Sequence, residues 1–579
     1  MRQSIDTQQT SLTLAPAEAP TALPGTPAPV LPSEQIPEGW LPRGLRGRDL
    51  TVLCLFSVLL VTNVPQIAGA GGAAFLYWIL GFVTFLIPSA LICAQLYRLF
   101  PGESSVYLWA NRAFGSFWDA FLGLFCNWWP GAIGLTIEAG ACIAALQALF
   151  PSWLQVPWQQ GLAEIAVLFL ALGLCSLRQR QLQTILNGVF LAYLVMFLLL
   201  GFAGLVYITG GHHIQGNLSS QSWRLQAGNF PVFATVILSL LGMAVPLNLG
   251  AEVVRRREVD RYLFWGTLIT IVAYLFATLA VIAILPPADL ANPAFLTEIF
   301  SSAFGSALGN VLGRLNYAVL VVYFICATAA FNSMFSRLLL AAGLDRRLPL
   351  AVRRLNSNRV PFNAMLVQTL FNVVFVAIIF LIAPLFAPAS QGLSTLVFLI
   401  TINGAAVVWY IAMIGLFLSG LILFTRYARQ LDQHWVMPPM LLYLACLGGI
   451  CASGIAIYFT FFAGSPLPQL LDNQNWLYWV LLVTLGSLAL GATYSFLVPE
   501  SEDLVALIQT HRSGRSQENS RQVATSASGG GNIYADTSSP LSDSLQGPVP
   551  SFEQSRLSSE LFPDAAGRAG SGRAGRRYP

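Results

Sequence analysis

Lysine is missing from this chain: all 30 of its basic residues are arginine. Lysine forms Schiff bases and shifts its pKa readily when buried, so any mechanism that needs one is excluded. Charge of either sign is scarce at 10% of residues, where a soluble domain carries about 25%. The formal net charge of +4 is dispersed between hydrophobic runs, which is not a nucleic-acid footprint. The eight cysteines (Cys54, Cys93, Cys126, Cys142, Cys175, Cys326, Cys446 and Cys451) lie in apolar runs, without a metal-like C-x-x-C pair. They read as small buried hydrophobes. His212 and His213 form a pair without neighbouring carboxylates, too little for a metal site. No cofactor is expected.

Apolar sequence is what the chain has in quantity: 55% of residues, with a mean hydropathy of +0.65. Apolar stretches near 51–70, 73–97, 117–149, 158–177, 184–209, 231–254, 262–285, 313–343, 361–386, 393–424, 437–463 and 476–498 read as twelve membrane spans. Each approaches the roughly 20 residues that cross a bilayer as helix. The Pro/Ala-rich start, residues 1–47, lacks the basic end and apolar core of a secretory signal and reads as a disordered cytoplasmic tail. Residues 48–498 read as the twelve-span membrane domain, and the Ser/Gly/Arg-rich residues 499–579 as a second disordered cytoplasmic tail. Arginine placement supports the count. With the start inside, cytoplasmic loops hold Arg98, Arg112, Arg178, Arg180, Arg255, Arg256, Arg257, Arg261, Arg346, Arg347, Arg353, Arg354, Arg359, Arg426 and Arg429; the opposite loops hold Arg224 and Arg314. This asymmetry places both termini in the cytoplasm of a multi-pass plasma (inner) membrane protein. The half-apolar segment after span seven, 286–313, reads as an interfacial, re-entrant or ordinary loop helix.

Span one contains helix breakers where lipid tolerates them least: "VTNVPQIAGAGG", 61–72. Five spans later "LLGMAVPLNLGAE" repeats the pattern with Gly242, Pro246, Asn248 and Gly250. Two interrupted segments at corresponding places point to an inverted-repeat transporter with its site at the breaks. An opened helix offers N–H groups that suit a carboxylate and C=O groups that suit an ammonium. An amino-acid zwitterion can therefore be held without a charged side chain in lipid. The amides of Gln66, Ile67, Ala68 and Gly69 are expected to take the carboxylate. Carbonyls near Val61, Thr62, Gly242 and Met243 are expected to take the amine, with Asn63 and Asn248 as polar contacts.

At these residues the chain resembles the amino acid–polyamine–organocation permeases, most closely their glutamate/GABA antiporter-like branch. The run 62–115 is similar to that branch's first two helices and following loop, and includes the signature-like "FPGESSVYLWANRAFG". "NLGAEVVRRREVDRYLFWG", 248–266, and "SRLLLAAGLDRRLP", 336–349, resemble the segments closing helices six and eight. The resemblance implies an all-α membrane protein of twelve helices: a five-plus-five inverted repeat (LeuT-like) with two further C-terminal helices. It implies discontinuous helices one and six, and a central site among helices one, three, six, eight and ten. Departures are hydrophobic residues around Val58 to Leu60 in place of Gly-Ser-Gly, Thr62 in place of arginine, and an arginine-rich loop after helix six.

Glu138 is the carboxylate farthest from any span end, a candidate for coupling to a proton or cation, or else a structural carboxyl. Glu164, nearer an end, is expected to snorkel to the surface. Glu252 and Arg337 are expected near the inner ends of spans six and eight, as a gate ion pair or a fixed structural pair. Trp128, Trp129, Phe324 and Trp409 are candidates to line the pocket. Thr328, Asn332 and Ser333 offer oxygens for sodium, or ordinary helix-packing groups. No lysine in span five can replace such an ion. The sequence thus reads as a secondary transporter of amino acids or related amines, with Na+ or H+ as candidate coupling ions, and not as an enzyme. Its rival is an amino-acid-binding membrane sensor of the same fold.

Overall fold

The computed structural model describes residues 31–35, 40–290, 292, 294–386, 393–431, 435–462, 464 and 471–497. Residues 1–30 and 498–579, and with them most of both expected tails, lie outside the described residues. Among the described residues, twelve helices are long and apolar enough to cross a membrane. They are spans one to six (Gly47–Ala68, Ala73–Leu99, Ser116–Leu149, Pro157–Cys175, Gln179–Thr209, Val232–Glu252) and seven to twelve (Arg256–Ile284, Ser306–Leu344, Phe362–Leu385, Thr395–Arg426, Pro439–Phe462, Asn473–Leu497). Every span expected from the sequence is present. The only non-helical pairing among the described residues is an isolated bridge between Leu45 and Val253.

Burial sorts the spans into centre and rim. The apolar segment of span six is 83% buried and those of spans one and eight 72%, against 28% for span twelve. Small residues permit this packing. Gly131 and Gly134 of span three lie under the rings of Phe335 and Phe331 of span eight, and Gly204 of span five meets the backbone of Ala280 in span seven. Dispersion contacts at such close approach hold helices together where lipid removes the hydrophobic drive between them.

Between spans seven and eight the helix Phe295–Phe304 packs back along the start of span eight. Gly309 and Gly313 leave room there for the backbones of Ser301 and Thr297. Its Leu296, Ile299 and Phe300 are buried. On the arginine-rich face a second short helix, Ser105–Phe114, follows the Pro101–Ser104 turn.

Within the expected tail, residues 1–47, two stretches are described, 31–35 and 40–47. Pro32–Gln35 forms a helical turn with Leu31 buried beneath it, and Leu41 and Leu45 are buried as well. The backbone N–H and Oγ of Ser33 both donate to the Asp345 carboxylate at 2.8 Å. Glu34 pairs with Arg112 at 2.6 Å. The Gly44 and Leu45 amides donate to the Glu252 carbonyl. Leucines that reach apolar hollows and donors that meet a buried carboxylate make this segment a strap.

Candidate functional site

Span one opens at Leu59 and Leu60, whose φ/ψ of −94°/84° and −105°/101° are extended. Helix resumes at Val61 and runs to Ala68. Pro65 belongs to the first turn of the resumed α-helix Val64–Ala68, where its missing N–H costs nothing. Span six opens at Leu241 and Gly242 between Val232–Leu240 and a 3-10 segment, Val245–Glu252. Gly242 has φ +114°, and a Cβ there would also lie 2.7 Å from that of Ser57. Only glycine fits both the dihedral and the contact.

Tyrosine hydroxyls take up the opened peptide groups. Tyr274 of span seven accepts from the Leu60 N–H at 3.0 Å and faces two carbonyls, those of Val58 and Ser239, one on each broken span. Tyr193 of span five and Tyr323 of span eight both donate to the Leu59 carbonyl, at 3.0 and 3.2 Å. Tyr262 donates to the Met243 carbonyl at 3.3 Å. In lipid an unmade backbone bond costs several kcal/mol, so these hydroxyls let the breaks persist. Sequence reasoning missed all four; for Tyr193, Tyr274 and Tyr323 the signal was a tyrosine in the middle of an otherwise apolar span, whereas Tyr262 follows the charged start of span seven.

Beyond the break a cavity of ≈ 730 Å³ opens on the face that carries Phe295–Phe304. It is lined by Val61, Thr62, Pro65, Gln66 and Gly69 of span one and by Phe324 of span eight, among others. Thr62, Gln66 and Gly69 are spaced to share one helical face, and all three are exposed there. Ile67 and Ala68 are buried on the other side. The Gly69 N–H is already bonded to the Pro65 carbonyl. Asn63 donates to the Ser239 hydroxyl at 2.9 Å, tying span one to span six. On the other side of the span-six break Gly242, Asn248 and Trp409 line a remnant of only ≈ 10 Å³.

The arginine-rich face is closed by buried ions. Arg337 donates through Nε and Nη2 to Glu252 Oε1 at 2.9 and 2.7 Å, and all side chains involved are fully buried. Glu252 and Arg337 are thus in direct ionic contact. A second carboxylate joins it: Glu103 Oε1 lies 3.9 Å from Arg337 Nε, and its Oε2 accepts from the Ala251 N–H at 2.8 Å. Burial first, and the neighbouring Glu252 charge second, push the Glu103 carboxyl well above the usual range, against the pull of Arg337. Asp119 pairs with Arg347 at 2.6 Å. Asp345, beyond the end of span eight, is raised to about 6 by burial, while the Ser33 donors pull it down.

Glu138 is buried with no partner on Oε2, within electrostatic reach of Tyr193, Tyr274 and Tyr323. Glu164 does not snorkel: it is 3% exposed and its Oε1 faces Gly140 of span three. Of the sodium candidates, Thr328 donates to the Phe324 carbonyl, Asn332 donates to Thr369, and Ser333 Oγ is buried without a partner. Trp128 donates to Gln368 and Trp129 stacks on Phe125, so neither lines the described cavities. Cys451, expected inside, is exposed on the rim. Among the described residues no His/Cys/Asp/Glu group could hold a metal, and His212 stacks on Tyr207.

Among the described residues, twelve apolar helices, the first and sixth interrupted and a mostly apolar cavity lying beside the first, fit a multi-pass membrane protein. Comparison with known proteins agrees. The chain belongs to the amino acid permease family, whose profile matches residues 49–486. It is 22% identical over 338 residues to an uncharacterized transporter of Legionella pneumophila, covering 57% of this chain and 72% of the relative. It is 24% identical to a probable agmatine/putrescine antiporter of Lactococcus lactis, covering 45% of this chain and 55% of the antiporter, little more than half its length. A lysine-specific permease of Lactococcus lactis subsp. cremoris is 22% identical, with 58% of this chain and 69% of the permease covered.

Proposed function

We propose that this protein is a secondary transporter that moves an amino acid or a related amine by alternating access around spans one and six. The observation that carries the reading is an asymmetry. A ≈ 730 Å³ cavity reaches the break of span one from one face, while the strap and buried ion pairs close the other. We place the closed face in the cytoplasm of the plasma (inner) membrane, with both termini, because the arginines gather there.

Thr62 and Gln66 contact the solute, and Gly69 leaves room beside them. A carboxylate is held at the start of the resumed helix, at the amides of Val61 and Thr62, where the helix dipole is positive. This is upstream of the amides of Gln66 to Gly69, which face back into the helix. The amine is held on the span-six side by the carbonyl near Gly242, which also accepts from the Val245 N–H; the carbonyls near Val61 and Thr62 point away from that carboxylate, and that of Met243 serves Tyr262. Asn63 and Asn248 position the two broken spans. Two relatives are described by amine-bearing solutes, agmatine/putrescine and lysine, which favours a cationic amine here. Glu138 is the coupling carboxyl, a proton carrier or partner of that amine; sodium held near Thr328 and Ser333 is the other coupling route.

The test is uptake and counterflow of labelled lysine, agmatine, putrescine and glutamate in proteoliposomes, with and without sodium or pH gradients. Saturable counterflow of at least one amine is expected. Glu138→Gln should abolish the response to a pH gradient while counterflow persists. Folded protein that exchanges none of the four would sink the reading.

A further inference from the structure

A second groove lies apart from the solute cavity, at the arginine-rich end of the molecule and on its flank. It measures ≈ 460 Å³ and runs between the first half of span one, span five and span seven. Its floor is apolar: Val52 and Leu55 of span one, Phe190 of span five, Ile269 of span seven. Trp265 stands at its side, 51% exposed, beside Phe264 at 62%. Such exposure marks a face turned to lipid, and indole rings settle at headgroup depth. At the polar end sit Arg46, Arg48 and Arg261 against one carboxylate, Glu258.

Glu258 is already committed. Its Oε2 accepts from the Gly47 N–H at 2.7 Å and its Oε1 from Arg261 at 3.0 Å. Arg48 reaches Asp49 only at 3.5 Å through Nε, and its side chain is 78% exposed. The mouth therefore has an excess of guanidinium groups directly above an apolar trough. A detergent-like or neutral occupant would leave those cations unanswered, whereas a phosphodiester accepts paired N–H donors in the geometry a guanidinium offers.

We propose that this groove binds an anionic phospholipid, its phosphate between Arg46, Arg48 and Arg261 and one acyl chain along Val52, Leu55 and Ile269. Basic recesses between membrane helices suit acidic headgroups for this reason. The site does not depend on what the central cavity carries. Its position gives it a consequence: the lipid lies along Gly47–Val58, the half of span one that ends at the Leu59–Leu60 opening, and clamps that half against span seven.

The test is native mass spectrometry of the full-length protein released from detergent, with phosphatidylglycerol or phosphatidylcholine added. Phosphatidylglycerol should stay bound at collision energies that strip phosphatidylcholine. The triple variant Arg46→Gln/Arg48→Gln/Arg261→Gln should lower its retention about tenfold or more. Arg178→Gln/Arg346→Gln/Arg354→Gln, which removes the same charge elsewhere on that face, should leave retention unchanged. Ile269→Trp fills the trough at constant charge and should also release the lipid, which keeps the test sound if the arginine variant folds poorly. Equal retention of the two lipids by the unaltered protein, equal loss in both arginine variants, or displacement by millimolar inorganic phosphate would each overturn the site.

Discussion

Leu59 and Leu60 open span one without a glycine because both keep negative φ, a region any residue can occupy. Sequence reasoning placed the opening near Pro65 and the glycines after it, since those are the residues that break helices. Pro65 instead starts a helix, and Gly71, at φ +60°, makes the turn into span two. Gly242 was legible as a break because its positive φ demands glycine. What keeps the first break open is the tyrosines, whose roles depend on three spans converging and cannot be read from any one of them. Tyr274→Phe removes the acceptor for the Leu60 N–H and the donor shared by Val58 and Ser239. The cost is expected at about 1–3 kcal/mol, seen as a lowered midpoint in a detergent thermal-unfolding assay. Tyr443→Phe, at a half-buried rim position, should show no such change.

At the scale of elements, the Pro101–Ser104 turn meets the 3-10 half of span six. Ser104 adopts φ +52° and donates to the Asn248 carbonyl, while Tyr97 donates to that of Gly250. Gly250 lies directly against the Gly102 carbonyl. This contact buries Glu103, which a Pro-Gly turn in sequence would leave in water; Glu252 and Arg337 were legible because each sits at the end of an apolar span. The consequence is a pH dependence with a definite sign. The Glu103 pKa is raised in the folded protein, so its contribution is present below the ordinary glutamate pKa and is lost as pH rises through the higher folded value. Thermal stability should therefore fall as pH is raised from the acid range, and Glu103→Gln should flatten that slope. A slope unchanged in the variant would assign the titration to another group.

For the whole molecule, the twelve spans and their arginine asymmetry were legible from composition and spacing alone, because lipid imposes them on every segment. The strap was not: its sequence is that of a Pro/Ala-rich tail, and only the docked partners Asp345, Arg112 and Glu252 give it structure. Ser33→Ala removes one of the two donors to Asp345 and should release the strap. Limited proteolysis ahead of residue 47 should then quicken severalfold, with the transmembrane core left intact.

Tyr274 has a single hydroxyl proton and two carbonyls to give it to, Val58 on one broken span and Ser239 on the other. If either span swung away alone, the hydroxyl would serve the one that stayed and strand the other's oxygen in a dry interior. The cheaper path keeps both carbonyls beside the same ring, so any movement of one span would carry the other with it, as two leaves hung on one hinge pin.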